Sequence, residues 1–190
     1  MIQLQIYRNG ANGQIIRGKG LSAFIHNLNY YETIIGVFED GTIDCWGVID
    51  FEEFKTKVAE GWVVTQVPKG AKISCHHLYY GNSTLEFYIE IDEFVKEVED
   101  TINLLQGKQT VGQTCVQAFA KFLTFPTPEN KSSLREAYNA IPKHLRIYVL
   151  GDMDFKDSAI LICIDEDTQI SQESIESFKR QYEWIWERLN

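Results

Sequence analysis

The chain has 190 residues, 44% of them apolar and 24% charged, with eleven Phe, nine Tyr and four Trp, enough for a substantial packed interior and unlike a disordered segment. A net charge of −9 argues against binding a nucleic-acid backbone, which requires Lys and Arg to neutralise phosphates, and against an anionic membrane surface. The longest apolar run, Ala159 to Ile164, is far short of the roughly 20 residues that span a bilayer.

The opening residues Ile2, Leu4 and Ile6 alternate with Gln3, Gln5 and Tyr7, a strand pattern without the basic start and apolar run of a secretory leader. Asn9 to Gly13 predicts a turn, and Leu21 to Asn27 and Tyr31 to Phe38 predict the next strands. Asp40-Gly41 then supplies a hairpin turn, where glycine tolerates positive φ, leading into a strand from Ile43 to Val48. Asp50 with Glu53 resembles a capping box for a helix from Phe51 to Glu60, ended by Gly61. Trp62 to Val67, Ile73 to Tyr80 and Leu85 to Ile91 are further strand candidates.

The second half changes character. Asp92 is placed to cap a helix reaching Gln106, with Phe94, Val95, Val98, Ile102 and Leu105 on one face. Thr110 opens a second helix with a wide apolar arc, and Thr127-Pro128 opens a third that runs to about Ala140. Arg146 to Leu150 and Ala159 to Ile164 are apolar on both faces and predict two buried central strands. Ser171 starts the last helix, where Ile175, Phe178, Tyr182, Ile185 and Leu189 recur every three or four residues.

This order predicts an α+β fold: a β-rich N-terminal half, then a helix-rich C-terminal half that returns two buried strands and ends in an amphipathic helix. Residues 1–190 read as a single α+β unit, with a subdivision into 1–91 and 92–190 as the other organisation. Cys45, Cys75, Cys115 and Cys163 are widely spaced with no C-x-x-C pair, which predicts reduced thiols in a cytoplasmic protein.

Motif by motif, the chemistry is thin. Gly13 to Gly20 nearly matches the phosphate loop G-x-x-x-x-G-K-[ST], but Gly20 stands where a magnesium-binding hydroxyl belongs, and Ile15-Ile16 reads as strand. Asp152, Asp154 and Asp157 cluster in one turn, where carboxylates could hold a cation or divide acid and base roles. The helix–loop–helix calcium pattern fails there, with Lys156 at its fifth position and Cys163 at its twelfth. His76 and His77 are metal-friendly, yet neighbours on a strand point to opposite faces. These five residues form the catalytic candidate set. No metal site and no cofactor is indicated.

The charge is uneven. Residues 82–106 carry seven acids against one base and 152–167 carry six against one, leaving the remainder at +2. On the last helix, projection at 100° per residue puts Trp184 on the polar face with Arg180 and Glu187, a partner-binding candidate, and Trp186 on the apolar side. Trp46 and Trp62 lie in strand patterns and are expected in the core.

Gly61 to Pro68 with Ile73 to Leu78, and Tyr148 to Asp157, resemble segments of uncharacterised bacterial hypothetical proteins. The small acidic build is similar to that of bacterial immunity proteins, which act by binding toxins. The function expected is therefore an acidic, cytoplasmic, immunity-like protein that binds or regulates a basic protein partner, with neither nucleic acid nor membrane as ligand. The alternative is a small hydrolytic or nucleotide-processing enzyme built on the Asp152, Asp154 and Asp157 cluster. Self-association through the last helix is a third reading.

Overall fold

The structure, a computed structural model, describes residues 4–75, 79–82, 89–151 and 158–185. The chain is α+β and divides into two compact units, 1–108 and 109–190.

Unit 1 is a sheet with two helices. Its strands are β1 (Leu4–Asn9), β2 (Ile15–Asn27), β3 (Asn29–Phe38), β4 (Ile43–Asp44), β5 (Val48–Ile49), β6 (Val63–Val64), β7 (Lys72–Cys75) and β8 (Tyr79–Asn82). Its helices are α1 (Phe51–Ala59) and α2 (Ile91–Leu105). Strands β1 to β5 are neighbours in chain order; β6 joins β2, and β7 pairs with both β3 and β8. Every pairing is antiparallel except β3 with β7, where Tyr30 lies opposite Ile73. The long hairpin β2–β3 runs in register from Gly18↔Phe38 to Asn27↔Asn29 and turns on a single residue, Leu28, at φ +62.

Strand periodicity sends Leu21, Ala23 and Ile25 of β2 and Ile35 and Val37 of β3 to one face. There they meet Phe54 of α1 and Phe94 and Val98 of α2, all fully or almost fully buried. Burying each such large apolar side chain contributes about 1.5–3 kcal/mol. The opposite face is built around glycine. Gly18 and Gly36 lie under the Phe38 ring, and a Cβ at either would come within 3.0 Å of it. The Arg8 guanidinium covers that ring at 5.0 Å from its centroid and is held there by Asp40 and Thr42.

Several local expectations hold. The segment from Ile15 to Gly20 is strand β2. Gly41, at φ +84, makes the β3–β4 turn. Asp50 caps α1 by accepting from the Glu53 N–H at 2.8 Å, and Gly61, at φ +74, follows the helix. Others are corrected. The expected strand from Ile43 to Val48 is two short strands folded on each other, and the strand expected at 62–67 shrinks to Val63–Val64. Glu90, not Asp92, holds the N-cap position of α2, and Asp92 sits in the first turn, where its charge favours the positive end of the helix dipole.

Unit 2 is helical: α3 (Val111–Thr124), α4 (Pro128–Ala140), a 3-10 helix (Lys143–Tyr148), α5 (Ser158–Ile164) and α6 (Gln172–Gln181). Thr110 and Gln113 form a reciprocal capping box on α3, Thr127 caps α4 ahead of Pro128, and Ser171 caps α6. The core gathers Cys115, Phe119 and Leu123 of α3, Leu134 of α4, Ile160 and Cys163 of α5, and Ile175, Tyr182 and Ile185 from the last segment.

The two buried strands expected here are helical instead. In α5 the buried residues are Ala159, Ile160 and Cys163, while Leu161 and Ile162 are each 44% exposed. That is a helical spacing, and a short apolar run does not reveal which period will be used. The run from Arg146 lies largely in the 3-10 helix, because the Arg146 side chain turns back to donate to the carbonyls of Ile141 and Asn139, closing the end of α4. The end of α5 is held similarly. Arg135 donates to the Ile164 carbonyl at 2.6 Å and pairs with Glu166 at 2.8 Å, and Lys131 donates to the Asp165 carbonyl.

Tyr182 is fully buried with its ring edge-on to Phe119 at 5.7 Å, and its hydroxyl has no hydrogen-bond partner among the described residues. A buried hydroxyl without a partner costs about 1–3 kcal/mol. Tyr182→Phe should therefore raise the urea-unfolding midpoint, by about 1 kcal/mol of stability. A drop in the midpoint would show that the hydroxyl is satisfied in solution.

Candidate functional site: an aromatic ridge on unit 1

Strands β4 and β5 are only two residues each, so Cys45, Trp46 and Gly47 must reverse the chain between them. The Gly47 N–H donates to the Asp44 carboxylate at 3.1 Å and the Cys45 N–H to the Gly47 carbonyl at 3.2 Å, fixing the turn. This places Trp46 at φ +70, a region that disfavours bulky side chains by about 1–2 kcal/mol. The strained residue is not buried in compensation: Trp46 is 52% exposed.

Two more rings join it. Trp62 follows Gly61 at the end of α1 and is anchored on three sides. Its N–H donates to Lys57 carbonyl, its carbonyl accepts from the His26 N–H, and its indole Nε1 donates to the Cys45 carbonyl at 3.3 Å. Tyr31 comes from β3. Its ring centroid lies 5.1 Å from Trp46, tilted by 58°, and Trp46 lies 6.1 Å from Trp62 at 83°. Tyr31 and Trp62 are half-buried, and Val48, on β5, is exposed. The Lys57 ammonium sits 5.9 Å above the Trp62 ring. Together they make a continuous aromatic ridge held by backbone hydrogen bonds.

The arrangement limits its chemistry. Centroid separations of 5.1 and 6.1 Å are those of rings in contact, so no slot for a cation is open between them as in an aromatic cage. The buried Cys45 thiol beneath the turn is pushed up by desolvation, and by the charge of Asp44 and Glu53 against Lys57, so it is a poor nucleophile. Cys115 and Cys163 are pushed up to about 12 by burial and are inert at neutral pH for the same reason. Among the described residues no three His, Cys, Asp or Glu side chains converge on a metal position.

A hollow in unit 2, lined by Phe122, Thr127, Lys131, Ile170 and Gln172 among others, lies near the capped start of α4. Its lysine already serves the Asp165 carbonyl.

The residues singled out in the sequence fare as follows. His76, His77, Asp152, Asp154, Asp157, Trp186 and Glu187 lie outside the described residues. Arg180 is exposed on α6. Trp184 is half-buried and packs on the hydrophobic core of unit 2. Trp46, expected in the core, is instead exposed in the ridge, while Trp62 packs against the core of unit 1 as expected and meets Trp46 with its ring edge. The available signal was Asp44 followed by Gly47, a turn pattern that interrupts the apparent strand.

A sheet backed by two helices, with an aromatic ridge at one end and a second, helical unit following in the chain, defines a two-unit α+β protein. Residues 5–109 match a domain of unknown function, DUF7638, and the chain belongs to that family. Residues 110–188 match a second domain of unknown function, DUF7639, so the two matches meet where the two compact units meet. No curated protein and no solved structure matches the chain. No helix among the described residues is long and apolar enough to cross a membrane.

Proposed function

We propose that this chain is a protein-binding, regulatory protein that docks a basic partner on the ridge of Tyr31, Trp46 and Trp62. The observation that carries the reading is Trp46: a large aromatic ring held half in solvent on a left-handed backbone. Strain of this kind persists where the surroundings over-determine it, and it clusters at functional positions. Exposed tryptophan and tyrosine are also the side chains that most often anchor protein interfaces.

Charge supports the choice of partner. Residues 44–60, which carry the ridge's turn and helix α1, hold five acids against two lysines within a chain of net charge −9. Such a surface speeds the approach of a basic protein and repels nucleic acid. The buried thiols Cys45, Cys115 and Cys163 are free, which supports a reducing setting such as the bacterial cytoplasm. The small acidic build supports an immunity-like role.

Trp46→Gly is the discriminating variant, because glycine removes the ring and relieves the backbone together. The tagged protein should retain a basic partner from host lysate at low salt and lose it at high salt. Trp46→Gly should retain at least tenfold less while keeping its circular dichroism and unfolding at a midpoint no lower than that of the wild type. Equal retention by wild type and Trp46→Gly would overturn the proposal.

A further inference from the structure

We draw no further inference here: the strongest candidate, the outer edge of strand β1, which pairs only with β2 among the described residues and exposes Leu4 and Tyr7, carries nothing because nothing in the structure shows what covers it.

Discussion

Gly18→Ala should cost the protein roughly 1–3 kcal/mol, the range for forcing an extra methyl into a packed interior. A Cβ at Gly18 would lie 2.6 Å from Cδ1 of Phe38 and 2.7 Å from the carbonyl oxygen of Val37. The ring could turn aside, but the carbonyl belongs to the neighbouring strand and can only move if β3 moves with it. Moving the ring also disturbs the Arg8 guanidinium stacked on it. Gly20 makes a useful contrast: its nearest obstacle, at 2.5 Å, is the Ile34 Cγ2 methyl, part of a side chain that is 38% exposed and can swing outward. Gly20→Ala should therefore cost less than Gly18→Ala. Amide hydrogen exchange along β2 and β3, with urea unfolding of the full chain, reads both. A loss below half a kilocalorie at Gly18 would mean that the sheet yields more easily than its register implies.

Phe119→Ala should be costlier still, at about 3–5 kcal/mol. The ring is fully buried and is the surface against which the Tyr182 ring packs edge-on. Deleting it leaves a void in the cluster it shares with Cys115, Leu123, Leu134 and Ile160, side chains projecting from three different helices, which cannot all close inward. Exchange protection of the α3 and α4 amides should fall accordingly. Phe119→Leu, which refills most of the space, should recover more than half of the loss. Unchanged protection in the alanine variant would place the mechanical centre of unit 2 elsewhere.

The parts of this fold that could be read in advance are those decided by a few adjacent residues. Asp40-Gly41, the Asp50 cap with Gly61 beyond it, Thr110 with Gln113, Thr127-Pro128 and Ser171 each do their work through one or two local hydrogen bonds or one permitted φ. The errors fall where tertiary packing chooses between alternatives. Ala159 to Ile164 is β-branched and apolar enough for a strand, yet it lies against α4 as a helix whose outer residues, Leu161 and Ile162, remain half in water. The ridge was hidden for a similar reason. Trp46 and Trp62 sit in runs of strand-like residues, and their meeting with Tyr31 depends on a reversal at Cys45 to Gly47 and on the end of α1. No spacing of residues 31, 46 and 62 announces that contact. The acidic windows also change meaning once Glu93 is seen paired with Lys96, and Glu166 with Arg135.

The long β2–β3 hairpin has a consequence for how unit 1 assembles. Its ten aligned pairs begin beside a one-residue turn at Leu28, so its earliest contacts close almost no loop. Strand β6 must instead find β2 across nearly forty residues, and β7 must find β3 across about as many. Closure entropy rises with the length enclosed, and pairings between distant segments are the slow ones. The hairpin is thus the template on which the later strands are laid. Trp62 reaches its place in the ridge only when the chain arriving from α1 docks along β2.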